Sequence, residues 1–404
     1  MLSPSARPFI EASVPVLRTQ GVAITQRFYA SLFSAHPELK NLFNMGNQEN
    51  GAQQGALAAA VLAYAANIDQ PAALLPVIER IAHKHASVGI VPSQYPIVGR
   101  HLIGAIKDVL GEAATPELLS AWDEAYWLLA GELIAAEARL YERAAVSAGD
   151  LRELVVTKVV REGRQVVSYY LQTRSGRSPG PFVPGQYVSV AVDLPSRGLR
   201  QLRQYSLSDA PSRPHWRITV KSELAREDAP AGEVSNHLHA HLKQGSTLLV
   251  SAPFGNFAPL GSDHAAQSPL VLLSAGVGIT PFVSALNALV EQRSTRPVLF
   301  VHAAQSREQH ILGSEVRAAE QTLTNLRTLT FYERTSGDDE RAGVRSGLMT
   351  LTPELLAPFA EADVYLCGPL PFMRAQWRDL IALGFSPTRL SREVFGPELL
   401  DQLS

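Results

Sequence analysis

The sequence predicts a three-domain protein: an all-α domain, then an antiparallel β-barrel, then an α/β domain with a parallel sheet. Apolar residues recur at three- and four-residue spacing from Arg7 to Arg143, which is typical of amphipathic helices. Short runs with a period of two follow, which is typical of strands. From about Pro269, buried strands alternate with helical stretches, which indicates a parallel sheet with helices on its faces. A chain of 404 residues has room for two or three domains.

The boundaries follow from where these periods change. Residues 1–143 are predicted to be a helical bundle, punctuated at Pro37, Gly46, Pro71, Pro92 and Pro116. The small, polar segment AAVSAGD, residues 144–150, is predicted to be a linker. A barrel is predicted over residues 151–265, with strands in LVVTKVV, QVVSYYLQT, QYVSVAVDL and WRITVKS. Residues 266–404 form the predicted α/β domain.

Composition excludes several classes of protein. The 36 basic and 38 acidic residues nearly cancel, and no basic block stands out, so we expect no nucleic-acid partner. The N-terminus lacks a secretory pattern, and the longest apolar run, residues 55–68, is too short to span a bilayer. We therefore expect a cytoplasmic protein without stable membrane insertion. Cys367 is the only cysteine, which excludes an intrachain disulfide and any four-cysteine metal site built by one chain.

The barrel region carries residues that suit a flavin nucleotide. In RQYS, Arg203 and Ser206 can donate to a phosphate, and Tyr205 offers a ring for stacking on a planar heterocycle. On their own, four such residues more often form a surface strand. About thirty residues later, Gly232 frees the backbone and Ser235 can cap a helix whose N-terminal amides would bind a pyrophosphate.

Together with PGQY at residues 184–187, these motifs resemble the flavin domain of the ferredoxin–NADP reductase superfamily. In SAGVGITP, Gly276 and Gly278 would let the backbone approach a pyrophosphate, and Thr280 would start the next helix. G-x-G-x-x-G is absent, and Ala275 stands where a glycine is expected in close relatives. The resemblance implies FAD and NAD(P)H as cofactors. It assigns their binding to Tyr187, Arg203, Gln204, Tyr205, Ser206, Gly232, Val234, Ser235, Gly276, Val277, Gly278, Ile279, Thr280 and Pro281.

Two C-terminal motifs extend this resemblance. In the Cys-Gly-Pro turn, Cys367 would lie near the nicotinamide, and the alternative is a buried small residue. In EVFGP, Phe395 would cover the flavin ring near the hydride path. The remaining binding residues of these motifs are Gly368, Pro369, Val394, Gly396 and Pro397. Ser306 and Arg307 stand where a ribose or 2′-phosphate would sit, without a clear acidic discriminator, so NADH and NADPH both stay open.

The electrons need an acceptor, because a flavin takes two electrons as a hydride and can release them singly. One cysteine cannot build a plant-type iron–sulfur module. The helical domain is therefore the natural candidate.

His85 is the candidate ligand in that domain. A lone histidine on a helix is usually structural, but Ile78, Ile81 and Val88 place His85 on the apolar face, where an unpaired imidazole would be costly. His83, two residues earlier, is expected at the surface.

The region resembles the globin half of flavohemoglobins. Residues 28–44 match the segment through the B and C helices, and KHASVGIVPSQYPIVG matches the proximal F region. The resemblance implies heme b, with His85 as the iron ligand and Phe43 packed on the porphyrin. It places Tyr29 and Gln53 at the sixth coordination position, with Leu57 beside them.

The other imidazole nitrogen of His85 needs an acceptor. Glu137 could take that proton, with Tyr95 bonded to the pair, so that His85 gains imidazolate character and pushes electron density onto the iron. The alternative for Glu137 is a solvated helix face. Lys84 is a candidate to bias the heme potential, and the alternative is a surface lysine.

The resemblance covers the entire chain and implies a nitric oxide dioxygenase, which converts NO and O2 to nitrate at a heme re-reduced by NAD(P)H through FAD. A heme-based O2 or NO sensor and a flavin or ferric reductase with an external acceptor are the alternatives. We expect a monomer with no obligatory protein partner.

Overall fold

The computed structural model describes residues 2–225, 230–261, 268–335 and 343–396. The predicted boundary between residues 265 and 266 and the predicted binding residue Pro397 lie outside these ranges. In these ranges, no helix is both long and apolar enough to cross a bilayer.

The first part of the chain is a helical bundle, as predicted. Long α1 packs on α3 and α5, and α4 packs on α6. Pro71 and Pro116 begin α4 and α6, where the missing proline N–H has no helical acceptor to lose. Gly46 was predicted to lie between two helices, but it lies inside the short helix α2. The helices are α1 Arg7–Ala35, α2 Met45–Glu49, α3 Ala52–Ala66, α4 Pro71–Val88, α5 Tyr95–Leu110 and α6 Pro116–Ala144.

An antiparallel six-stranded sheet follows, in the order β4-β3-β6-β1-β2-β5. A bridge between Leu207 and Ile218 brings the two edge strands together, which closes the sheet toward a barrel. Helix α7, Glu233–His241, packs on this sheet through Leu238. The strands are β1 Arg152–Gly163, β2 Val166–Gln172, β3 Tyr187–Leu194, β4 Leu199–Ser206, β5 Trp216–Lys221 and β6 Thr247–Val250.

The last part is a parallel six-stranded sheet in the order β10-β9-β8-β7-β11-β12. The chain order reverses between β7 and β11, and ligands of such sheets bind at the carboxyl ends of the strands beside this point. The strands are β7 Leu270–Ala275, β8 Val298–Ala304, β9 Leu326–Tyr332, β10 Val344–Ser346, β11 Asp363–Cys367 and β12 Leu390–Glu393. The helices are α8 Thr280–Glu291, α9 Gly313–Thr322, α10 Pro353–Leu356 and α11 Leu370–Ala382. The predicted fold class is thereby confirmed.

Candidate functional site

A continuous cavity of ≈ 940 Å³ runs from the helical bundle to the barrel and the edge of the parallel sheet. It brings together most of the residues that the sequence singled out. In the bundle these are Tyr29, Phe43, Gln53, Leu57, Lys84, His85 and Tyr95. In the barrel they are Tyr187, Arg203, Gln204, Tyr205, Ser206, Gly232, Val234 and Ser235. In the last domain they are Val277, Thr280, Val394, Phe395 and Gly396.

Three helices assemble a hydrogen-bonded group behind His85. Nδ1 of His85 lies 2.7 Å from Oε1 of Glu137 and 3.2 Å from the phenol oxygen of Tyr95. Tyr95 donates to the same carboxylate oxygen at 2.6 Å. Glu137 is 2 % exposed, so the predicted contact exists and the solvated alternative does not. Burial, followed by the Glu137 carboxylate, raises the pKa of Tyr95 far above its usual range, which keeps this phenol a donor.

The remaining nitrogen of His85 suits an iron ligand. Because the carboxylate accepts the Nδ1 proton, Nε2 carries the lone pair, and it has no hydrogen-bond partner in the described part of the chain. The wall of this cavity also carries the apolar residues Ile78 and Ile81 of the same helix and Val98 of α5. An imidazole with one anchored nitrogen above an apolar slot fits a heme.

Helix α1 presents a buried phenol to the same cavity. Tyr29 is 4 % exposed and lies near the side chains of Gln53 and Gln48. Burial raises the pKa of Tyr29 to about 12, so the phenol stays protonated. The Phe43 ring meets Tyr29 edge-on, with centroids 5.6 Å apart. Sequence reasoning missed Gln48, whose place beside Tyr29 depends on how the short helix α2 folds.

Strand β4 and helix α7 form the barrel part of the cavity. The hydroxyl of Ser206 is buried and has no hydrogen-bond partner among the described residues, which is costly unless a ligand supplies one. The start of α7 opens on the same space, and helix N-terminal amides bind phosphates. These features fit a flavin nucleotide.

The predicted cap of α7 is wrong. Gly232 occupies the N-cap position, and Ser235 lies inside the first turn. The Ser235 hydroxyl donates to the Gly232 carbonyl at 3.2 Å and accepts from the Glu223 N–H at 3.2 Å. A Cβ at Gly232 would lie 2.7 Å from that hydroxyl, so a larger residue here would displace the Ser235 side chain from these contacts.

The β7–α8 connection follows the prediction in outline, because α8 starts at Thr280. Its glycines serve different purposes. A Cβ at Gly276 would meet no described atom within 4 Å, whereas a Cβ at Gly278 would collide with the Cys367 carbonyl. Close packing between two loops therefore requires glycine at 278, and the approach of this backbone to a pyrophosphate stays a prediction.

The Cys367 side chain lies in the core of the last domain. It is fully buried, packs in a core with Phe282 and Phe300, and does not line the cavity. Burial raises the pKa of its thiol well above the usual range, so it stays neutral. Its place beside a nicotinamide stays a prediction. The other predicted residues of this domain that do not line the cavity are Gly276, Gly278, Ile279, Pro281, Gly368 and Pro369.

Several contacts join the bundle to the rest of the chain. His83 was expected at the surface but is half-buried and accepts a hydrogen bond from the Gly255 N–H at 2.9 Å. Nζ of Lys84 donates to the Gly396 carbonyl at 3.4 Å. Gln201, also missed, donates to the Lys40 carbonyl at 3.0 Å and accepts from the Met45 N–H at 3.2 Å.

Family models match two parts of the chain: Globin over residues 26–133 and Oxidoreductase NAD-binding domain over residues 272–377. Similar proteins extend this over nearly the full length. A flavohemoprotein of Bordetella parapertussis is 47 % identical, covering 98 % of this chain and 99 % of its own. The chain belongs to the flavohemoprotein family. Another member, from Bacillus subtilis, is 41 % identical over 99 % of this chain and 98 % of its own.

Solved structures agree with the family. The flavohemoglobin of Malassezia yamatoensis, determined with bound FAD and heme, matches with a TM-score of 0.85 at 30 % identity, covering 98 % of this chain and 100 % of that one. The FAD/NAD-binding domain of a nitric oxide dioxygenase from Vibrio cholerae matches with a TM-score of 0.55 at 33 % identity. That match covers 61 % of this chain and 100 % of the other.

Proposed function

We propose that this flavohemoprotein is an NAD(P)H-dependent nitric oxide dioxygenase that converts NO and O2 to nitrate with heme b, FAD and NAD(P)H. The observation that carries the proposal is the single cavity that joins the His85 wall to the Ser206 and α7 wall. When bound, the flavin would take a hydride and release electrons singly, and the heme iron would provide the center for oxygen chemistry. The activity of the Vibrio cholerae relative supports this choice.

The proximal residues tune His85 as a ligand. Glu137 accepts the Nδ1 proton at 2.7 Å from a buried position, which makes the imidazole a stronger electron donor through Nε2. The Tyr95 phenol holds the carboxylate in place at 2.6 Å. Electron donation from the ligand favors oxygen activation over simple storage.

The distal residues provide a neutral donor. Tyr29 is buried and protonated, and the side chains of Gln53 and Gln48 lie near its hydroxyl. A phenol in this position can donate to an oxygen atom that carries partial negative charge. Leu57 and Phe43 keep the surroundings apolar, which strengthens that hydrogen bond.

The remaining residues would bind the electron donors. Ser206 and the first turn of α7 would hold the flavin nucleotide, and the β7–α8 turn beside them would hold the dinucleotide. The whole path from dinucleotide to His85 then lies in one polypeptide. This organization supports turnover without an obligatory protein partner, with O2 and NO as small-molecule substrates.

Catalytic nitrate formation tests the proposal. The holoprotein is reduced with NADH without oxygen, O2 and NO are added, and nitrate and NAD⁺ are counted. Because one hydride carries two electrons, two nitrates should form for each NADH consumed. A His85→Ala variant should lose heme and nitrate formation together. Gas binding without turnover would identify a sensor, and unchanged reduction of external acceptors without nitrate would identify a reductase.

A further inference from the structure

Helix α4 has two opposite faces around His85. At 3.6 residues per turn, residues four apart share a face and residues two apart point to opposite sides. His83 and Ser87 therefore share one face, and His85 points the other way. The face of His83 and Ser87 contacts the barrel, so one turn of α4 lies between His85 and these barrel contacts.

The Ser87 hydroxyl makes the central contact of this interface. Ser87 is 1 % exposed, and its hydroxyl donates to the Lys84 carbonyl at 2.8 Å. It accepts from Nε2 of Gln204 at 3.5 Å and lies near the phenol of Tyr187. A hydroxyl has one proton and two lone pairs; its proton goes to the Lys84 carbonyl, so any barrel group that bonds to it must be a donor.

The two barrel partners of Ser87 are wall residues of the flavin part of the cavity. The Tyr187 ring also packs on Gly255, where a Cβ would lie 3.0 Å from the ring. The Gly255 N–H donates to His83 at 2.9 Å. Ala86 adds an apolar contact to a cluster with Ala252 and Phe254. Residues 83, 86 and 87 thus attach α4 to the wall that carries Tyr187.

We propose that Ser87 is a positioning residue for electron transfer: through Tyr187 and Gln204 it fixes the flavin-binding wall relative to the helix that carries His85. The inference rests on the proposed role of His85 as the iron ligand, and on no step of nitrate formation. The reaction it serves is NADH plus two ferric irons giving NAD⁺, one proton released to solvent and two ferrous irons. Because the rate of electron transfer falls steeply with distance, loosening this contact slows that reaction.

The test separates hydride transfer from electron transfer in the holoprotein. NADH is mixed without oxygen, with carbon monoxide present to trap reduced heme, and flavin and heme absorption are followed together. In Ser87→Ala, flavin reduction should stay within about twofold, while heme reduction slows about tenfold, the scale expected when positioned groups shift slightly. Amides of residues 83–88 and 252–255 should exchange hydrogen faster. Ser87→Thr, which keeps the hydroxyl, should restore much of the rate.

Two further variants define the contact. Tyr187→Phe removes the Tyr187 hydroxyl from the other side of this contact, and the double variant should reduce heme no more slowly than the slower single variant. If Ser87→Ala does not fold, Tyr187→Phe provides the test. Ser13→Ala is the matched control, because Ser13 is a buried helical serine whose hydroxyl donates to the Ile10 carbonyl of its own helix at 2.7 Å.

Unchanged heme reduction in Ser87→Ala would overturn the inference, and so would an equal slowing of flavin and heme reduction. The experiment needs neither O2 nor NO. A protein that reduces its heme at a Ser87-dependent rate but makes no nitrate would therefore contradict the proposed function and leave this inference intact.

Discussion

Oε1 of Glu137 lies 2.7 Å from Nδ1 of His85, although 52 positions separate the two residues along the chain. Helices α4 and α6 pack together and bury this carboxylate, which Tyr95 holds against the imidazole. In the proposed function, the ligand strength of His85 would thus be set by a residue that does not contact the iron.

Glu137→Gln should weaken electron donation by His85 to the iron, because a neutral amide is a poorer acceptor for the hydrogen bond from Nδ1–H. We expect the iron–histidine stretching frequency to fall and heme affinity or nitrate turnover to drop about 10–100-fold. Resonance Raman spectroscopy of the ferrous protein measures the frequency. Glu132→Gln, an exposed carboxylate on the same helix, should leave it unchanged. An unshifted frequency in Glu137→Gln would show that the carboxylate does not tune the ligand.

Tyr29→Phe should remove the distal donor. A hydrogen bond to a charged acceptor contributes about 1.5–3 kcal/mol, so oxygen should dissociate about 10–100-fold faster. Since the pKa of Tyr29 is raised to about 12, the phenol stays protonated and oxygen release in the wild type should be independent of pH from about pH 6 to 10. Flash photolysis measures the rate.

Tyr64→Phe is the control for this prediction, since Tyr64 also lines the cavity but donates its hydroxyl to the Ala125 carbonyl at 2.9 Å. It should leave oxygen release within about twofold. Equal acceleration in both variants would point to general loosening of the cavity rather than to the Tyr29 hydroxyl.

The periodicity of the sequence was enough to predict the three kinds of domain, but strand β4 was not among the predicted strands. Its side chains do not alternate between core and water, because several meet another domain or the cavity. Gln201 is 1 % exposed and bonds to Lys40, and Gln204 bonds to Ser87. Polar residues on such a strand look like a loop when only the core and the solvent are considered.

The site residues were also predicted only in part. The apolar face around His85 indicated that its imidazole needs a partner, and the donors and ring of RQYS suited a flavin nucleotide, but the assigned roles came from the family resemblance. Gln48, Ser87 and the true contact of His83 could not be predicted, because each depends on a partner from another element or domain. The prediction of Ser235 as the helix cap is wrong for a local reason. Both Gly232 and Ser235 suit the start of a helix, and the structure places Gly232 at the N-cap of α7.

Ser206→Ala should weaken FAD binding without weakening the fold. The Ser206 hydroxyl is buried without a hydrogen-bond partner among the described residues. Its removal would therefore break a hydrogen bond to a bound ligand but none within the described part of the protein. We expect the FAD dissociation constant to rise about 10–100-fold if the lost bond is to a charged oxygen. The free energy of unfolding of the apoprotein should not decrease. Fluorescence titration and urea unfolding measure the two quantities.

Ser208→Ala should show the reverse pattern. Its hydroxyl donates to the Arg217 carbonyl at 3.1 Å, accepts from Nε of Arg217 at 3.1 Å and contacts the Thr219 hydroxyl at 2.9 Å. Removing it leaves buried partners unsatisfied and should lower the free energy of unfolding by about 1–3 kcal/mol. FAD affinity should stay within about twofold. Loss of FAD affinity in Ser208→Ala but not in Ser206→Ala would contradict the assignment of Ser206.

Gly278→Ala should damage the last domain more than Gly276→Ala. At 278 the new methyl group would collide with the Cys367 carbonyl, which is backbone and cannot rotate away, so we expect a loss of about 3 kcal/mol. At 276 the methyl group meets no described atom within 4 Å, and only the positive φ of +55° opposes alanine, for about 1 kcal/mol. Hydrogen exchange of the amides in β7 and β11 measures the local free energy of opening in each variant. Equal losses would mean that backbone conformation, rather than the packing of the two loops, governs this turn.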